Sequence, residues 1–544
     1  MKSSGVRSDN LNTNNGHLLQ QLVDEIMSRR LQPEDHFEIA AYLESVGWND
    51  TRAAEVFGVR DVFELSFDIW DAIQKRITAV PYTPIQKNSV FAYMAEALRS
   101  FLRGLIFALP MAISVFSMLT LRFSLWSYEF LSTQDATSIA IGTIMSFVTV
   151  GGFTQAIARR GFFYITQGYY NMGRRITFYF IRVGFATCGI MAAAFAVINM
   201  LLSIFPFRMA LMITVYFLFL SAIWLSVTVM YILKKELLFT GLLVFGIFTV
   251  LILFKVLGLP ILVSQVIALF CIAFSGLLFV LYLFKKAESK MEKGINPLMP
   301  RMSITLYSIM PYFIYGFIYF SFLYTDRIVA WSTNDSIFMP FLIWFRGSYE
   351  LALDFALLML IIPMGLNEVV VNGIMFQLES SQKHYSGQDA QKLNDSFLSL
   401  YRKRLILVCI ISCLCAAAVY AAVFFVEKNY GAILRIRLIS GSTSHMVFIF
   451  ALFSYAVIAV ALMNAVILFS LSQPELVNSS ILPALLVNVS VGFVLSRWGS
   501  MAGPEGYNFA VFGLASGAVV FLVLSCRQVV RVLKNLDYYI YALS

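Results

Sequence analysis

The sequence predicts an all-α, polytopic membrane protein: about twelve transmembrane helices in two six-helix bundles, preceded by a small helical cytoplasmic amino-terminal module. Three observations predict it. Of 544 residues, 59% are hydrophobic and 13% are charged, about half the charge content of a soluble globular domain. Apolar runs of about twenty residues recur from Phe101 onward, each long enough to cross ~30 Å of hydrocarbon at about 1.5 Å per residue. Lysine and arginine gather in alternate loops, as the positive-inside rule requires.

The elements follow in chain order. The first ~15 residues, rich in Ser, Asn and Asp, have the composition of a disordered segment. Residues 17–30, 36–47 and 51–57 read as short helices, the last capped by Asn49 or Asp50 and stopped at Gly58. An amphipathic stretch follows at 61–75. Residues 1–90 thus form a helical module, either a stabilising or regulatory appendage or a docking domain. They hold no basic, apolar, small-residue sequence of the signal-peptide kind, so the amino terminus is expected in the cytoplasm. The linker 78–88, with Pro81 and Pro84, leads into the membrane part.

The apolar spans run approximately over 102–122, 136–158, 179–204, 208–232, 236–257, 260–284, 304–325, 350–377, 404–426, 446–471, 478–496 and 507–527. Starting inside, the cytoplasmic loops carry Arg159, Arg160, Arg174 and Arg175, then Lys234 and Lys235, then Lys285, Lys286, Lys290, Lys293 and Arg301, then Lys383, Lys392, Arg402, Lys403 and Arg404. The opposite loops carry chiefly Arg122, Arg208, Arg435, Arg437 and Arg497. That asymmetry supports an even helix count with both termini cytoplasmic, and it accounts for the net charge of +9 without nucleic-acid binding. The polar interruption 285–301 divides the membrane part into 91–301 and 302–544, six helices each. Pro110 and Pro311 stand about seven to eight residues into the first span of each set, a sign of internal duplication.

Cys188, Cys271, Cys409, Cys413, Cys415 and Cys526 all lie in apolar runs and read as small buried hydrophobes, not as a disulfide framework. Cys409 and Cys413 share a helical face with no histidine beside them, so no metal site is expected. His17, His36, His384 and His445 all fall away from the centres of the spans. No cofactor is predicted.

Charge at bilayer depth costs roughly 2.5–3.5 kcal/mol even on lenient scales, so acids in a span must face protein or water. In the eighth span Glu350, Asp354, Glu368, Asn372 and Glu379 fall within about 40° of one another at 100° per residue, with Pro363 between the two clusters. Glu350 and Glu379 read as solvated ends. Asp354 and Glu368 either line a central cavity or are satisfied within the protein. On the seventh span Ser308, Tyr312, Tyr315, Tyr319 and Asp326 share a face, followed by Arg327 and Trp331. A tyrosine ladder ending in a carboxylate suits a sugar, whose C–H faces pack on rings while its hydroxyls meet phenols. The competing reading is an interfacial aromatic belt with core packing.

Two stretches carry a resemblance. Residues 319–331, YFSFLYTDRIVAW, and 349–368, with early acids, Pro363 and Glu368, resemble the seventh and eighth helices of PelG-type exopolysaccharide exporters. Gly151, Gly152, Phe153, Thr154 and Gln155, followed by Arg159 and Arg160, resemble that family's second helix more weakly. The chain departs from the pattern at 161–164, GFFY, where the family has an acid, and in its additional amino-terminal module. The family belongs to the multidrug/oligosaccharidyl-lipid/polysaccharide (MOP) flippase superfamily. The resemblance implies two six-helix bundles around a lumen, and an inner-membrane transporter exporting a Pel-like polysaccharide in a biofilm. Its implied companions are a cytoplasmic glycosyltransferase and inner-membrane partner subunits. The lumen residues expected on this basis are Tyr312, Tyr315, Tyr319, Asp326, Arg327, Glu350, Asp354, Glu368 and Asn372. An ion-coupled flippase or antiporter for lipid-linked oligosaccharide or small molecules remains the alternative. An enzyme is not expected, because no Asp-rich loop, membrane histidine or P-loop occurs.

Overall fold

The computed structural model describes residues 13–29, 36–79, 90–289, 302–333, 342–382, 390–434, 442–498 and 505–541. The segment expected to be disordered, the linker beyond residue 79, most of 285–301, His384 and the loop with Arg435 and Arg437 lie outside them, as do the side chains of His17 and Glu379. The chain divides into two compact units, residues 1–94 and 95–544.

In the first unit, α1 (Thr13–Arg29), α2 (His36–Ser45), α3 (Asp50–Phe57) and α4 (Val62–Ala79) enclose a small core of Leu22, Val23, Ile39, Leu43, Trp48, Leu65 and Ile69. The start and stop of α3 follow the local chemistry. The Asn49 side chain accepts from the Arg52 amide at 2.9 Å, and Gly58 closes the helix at φ 69°. Only a residue without a Cβ enters that left-handed turn at little cost.

The second unit is all helix among the described residues. Its first bundle comprises α5 (Val90–Leu121), α6 (Thr133–Thr166), α7 (Tyr170–Leu202), α8 (Phe207–Ile232), α9 (Glu236–Leu251, continued by a π turn to Val256) and α10 (Ile261–Glu288). The second comprises α11 (Met302–Trp331), α12 (Gly347–Leu357), α13 (Ile361–Gln382), α14 (Ala390–Leu434), α15 (Ser442–Ser470), α16 (Pro474–Trp498), α17 (Val511–Leu533) and the short α18 (Leu536–Tyr541). Eleven helices among the described residues are long and apolar enough to cross a membrane. Helix α5 holds the remaining expected span. It begins at Val90, well before the apolar run. Pro110 therefore lies deep inside α5 while Pro311 sits in the third turn of α11, and the positional match that suggested duplication disappears.

Each bundle has its own apolar core. One gathers Tyr216, Leu220, Leu243 and Ile272 from the first bundle, and the other Phe322, Leu353, Tyr455, Ala484 and Phe521 from the second. The bundles meet where glycines allow backbones to touch. A Cβ on Gly151 of α6 would lie 2.7 Å from the Gly316 carbonyl oxygen of α11, and one on Gly152 would lie 2.8 Å from that of Phe313. Across the other seam, a Cβ on Gly104 of α5 would lie 2.7 Å from Gly365 Cα of α13. Side chains larger than hydrogen do not fit such crossings, which is why membrane helices place glycine there.

The eighth span is broken. A 3₁₀ turn at Leu358–Leu360 separates α12 from α13, immediately before Pro363. Proline lacks the N–H that residue 359 would accept from and its ring crowds that carbonyl, so the preceding turn tightens.

Candidate functional site

Helix α11 ends at Trp331 and α12 begins at Gly347, and their packing brings charged positions 23 residues apart, Arg327 and Glu350, face to face. Arg327 forms an ion pair with Glu350 through one guanidinium nitrogen and with Asp354 through the other, at 3.2 Å. The two acids differ. The Glu350 side chain is 4% exposed and also accepts from Trp331 Nε1 at 2.8 Å, whereas the Asp354 side chain is 55% exposed. Glu350 is therefore not the solvated helix end that its position near the start of the span suggests; tertiary pairing compensates its burial. The Arg327 guanidinium stands 5.5 Å from the Tyr324 ring, within cation–π reach, and beside Tyr455 of α15.

Asp326, the neighbour of Arg327, points elsewhere. It is fully buried and accepts from the Tyr349 hydroxyl at 2.9 Å, while its other oxygen has no partner among the described atoms. Adjacent helical residues diverge by about 100°, so an Asp–Arg pair in sequence serves two different surroundings. Asp326 and Tyr349 brace α11 against α12 behind the Arg327 network.

The tyrosine ladder is also divided. Tyr312 and Tyr315 are buried and pack on Phe469 of α15, with ring centroids 5.5 and 4.7 Å away. Tyr315 stacks on Tyr319 at 5.7 Å, and Tyr319 is half-buried. For Tyr312 and Tyr315, core packing is the role the side chains take; their faces are already covered. Of the three, Tyr319 is the most exposed.

Glu368 and Asn372 form a separate group. Asn372 Nδ2 donates to Glu368 Oε1 at 3.1 Å and to Ser100 Oγ of α5 at 3.4 Å. Glu368 lies about 21 Å along the broken helix from Asp354 at 1.5 Å per residue. One acidic stripe by helical arithmetic thus addresses two partners: α11 through Glu350 and Asp354, and α5 through Glu368 and Asn372. Ser308, on the tyrosine face, accepts from Arg160 of α6, and Arg159 donates to Ser472 Oγ at 3.0 Å while lying 5.0 Å from the Tyr312 ring. These contacts tie the ends of the two bundles together.

Tyr349, Tyr324 and Tyr455 complete the site and were not singled out as lumen residues from the sequence. Tyr324 and Tyr349 lie within the segments 319–331 and 349–368, so proximity to the charges was a usable signal. Tyr455 sits in an apolar run more than a hundred positions away and carries none.

No protein-family model matches the sequence, and no curated protein is similar to it. Solved structures are similar in fold. The eukaryotic MATE transporter AtDTX14 superposes with a TM-score of 0.52 at 14% identity, covering 81% of this chain and 97% of that one. A MOP superfamily transporter from Pyrococcus furiosus gives 0.52 at 14% identity, covering 80% and 97%. The Vibrio cholerae MATE transporter VcmN in its bent form gives 0.53 at 12% identity, covering 82% and 99%. The likeness extends over nearly the whole of each of those chains and establishes the two-bundle helical fold.

Proposed function

We propose that the chain is a multi-pass inner-membrane transporter of the MOP type that exports a polysaccharide, Pel-like in class, through a passage between its two bundles. The observation that carries this reading is the Arg327 network: a guanidinium and two carboxylates where the end of α11 meets the start of α12, one acid buried and the other open. With Arg327 matched by buried Glu350, the open Asp354 leaves the group one negative charge in excess and offers carboxylate acceptors to the hydroxyls of a sugar chain. Half-buried Tyr319 adds an aromatic edge nearby, and Glu368 with Asn372 adds a second polar station further along. Two stations about 21 Å apart suit an extended chain better than a compact solute. Asp326, Glu350, Tyr349 and Trp331 hold the first station in place. The resemblance of 319–331 and 349–368 to PelG-type exporters supports the substrate class, with a cytoplasmic glycosyltransferase as companion. The Lys and Arg distribution supports cytoplasmic termini.

The test is secretion by cells carrying Asp354→Asn or Glu368→Gln, with membrane levels followed by immunoblot. Export is expected to fall by about tenfold or more, since roughly 1.4 kcal/mol of lost binding or barrier lowering already gives that factor. Wild-type export by both variants sinks the passage. The fold likeness to MATE transporters favours a second reading, an ion-coupled flippase or antiporter of lipid-linked oligosaccharide or small molecules. Uptake in sealed vesicles that collapses with the cation gradient, and that Asp354→Asn uncouples, selects it.

A further inference from the structure

The amino-terminal unit carries a surface that its own fold leaves uncovered. Helix α4 turns Val62, Leu65, Ile69 and Ile73 inward. Phe63 and Phe67 lie on its opposite side, 50% and 57% exposed, and Phe37 of α2 is 58% exposed. Phe37 meets Phe63 edge-on at 6.2 Å, and the His36 ring meets Phe67 edge-on at 5.7 Å. Two helices thus bring four aromatic rings into one outward strip. Single exposed apolar residues are ordinary, but a contiguous set across two elements marks an interaction surface.

The charges around the strip specify its occupant. At 100° per residue, exposed Asp71, Glu64 and Asp68 follow Phe67 around α4 within about 100°, and exposed Glu44 falls about 20° from Phe37 on α2. The strip is therefore edged by carboxylates on both helices. From α2 to the end of α4, residues 36–79, eight carboxylates stand against Arg52, Arg60, Lys75 and Arg76, a local excess of negative charge in a chain whose net charge is +9.

We propose that this strip docks a basic amphipathic helix of a partner protein, its apolar ridge on the Phe37, Phe63 and Phe67 rings and its Lys or Arg side chains on the flanking acids. Helix-in-groove recognition needs an apolar track with charge opposite to the ligand along its edges, and this strip supplies both. Like charge disfavours the other occupants, a second copy presenting the same acids or an anionic bilayer.

Amide hydrogen exchange on the full-length protein in phosphatidylcholine nanodiscs tests the proposal. The probe is an amphipathic Leu/Lys peptide of about 18 residues, long enough to form a helix on contact, with a Leu/Glu peptide as control. Micromolar Leu/Lys peptide is expected to slow exchange in residues 36–45 and 62–73. The midpoint should shift upward about tenfold in Phe63→Ser/Phe67→Ser. It should also shift about threefold or more in Glu64→Gln/Asp68→Gln and in about 0.5 M salt. Exchange without peptide reports whether each variant keeps the module folded, and the charge variant retains the test if the apolar one does not. Unchanged protection in the folded variants overturns the proposal, as does equal protection by the Leu/Glu peptide. Protection without peptide that grows with protein concentration assigns the strip to a second copy instead. Protection that grows with phosphatidylglycerol content assigns it to the membrane, and either result also overturns the proposal.

Discussion

At Arg327 one cation meets two carboxylates whose surroundings differ, and that difference predicts what each substitution does. Glu350 is buried between the guanidinium and the Trp331 indole N–H. Arg327→Met strands it, and breaking a buried pair from one side costs about 3–5 kcal/mol. A large drop in the thermal midpoint of the detergent-solubilised protein is expected. Arg327→Met/Glu350→Gln should recover much of it, because the uncompensated charge is gone; strictly additive losses would show that the two side chains are not coupled. Asp354→Asn removes an open partner and should cost under about 1 kcal/mol, so its effect on export is separable from folding. The charges themselves were visible in the sequence as acids and an arginine inside apolar runs. Their pairing was not: the 100° rule relates positions on one helix and is silent about which neighbour a side chain meets. That is why Glu350 reads as a solvated end until α11 is placed beside it.

Among the elements, the helix crossings are the sharpest test of the packing. Gly316→Ala drives a Cβ into the Gly151 backbone, and a helix cannot yield there without moving bodily. Overpacking of this kind costs about 1–3 kcal/mol. In contrast, a Cβ on Gly189 of α7 meets nothing within 4 Å, so Gly189→Ala should be neutral or stabilise by up to about 1 kcal/mol through helix propensity. Parallel thermal-shift measurements on the two variants check the contrast; equal effects would contradict the crossing. In the amino-terminal unit, Asn49→Ala removes the cap of α3 and should cost about 1 kcal/mol, seen as faster amide exchange in 50–57. This cap and the Gly58 stop were legible from the sequence because both act within four residues. The break in the eighth span was legible at Pro363 and appears one turn earlier, since proline disrupts the carbonyl four positions before it.

For the molecule as a whole, the bundles are joined at glycine crossings and at a polar tie where Arg159 reaches Ser472 and Arg160 reaches Ser308. If transport requires the bundles to part at this tie, fixing it blocks transport. In a chain stripped of native cysteines, Arg159→Cys/Ser472→Cys joined by a bis-maleimide spanning about 8–10 Å should stop export, while each single variant treated alike should not. Undiminished export by the joined protein would remove the idea that this end opens. The sequence alone determined the membrane class and the all-helical fold, because hydrophobic length is set by the bilayer and acts along the chain. It also located the charged positions of the site, whereas the packing role of Gly151 and Gly152 came only with the structure. Only the tertiary structure decided which groups face one another. It put Tyr312 and Tyr315 against Phe469, turned Asp326 to Tyr349, and paired Glu368 with Asn372, which reaches Ser100 of α5, rather than with Arg327. The physical reason is that a helix's periodicity fixes which residues share a face, whereas the partner of that face is chosen by packing between segments that the sequence separates by tens to hundreds of residues.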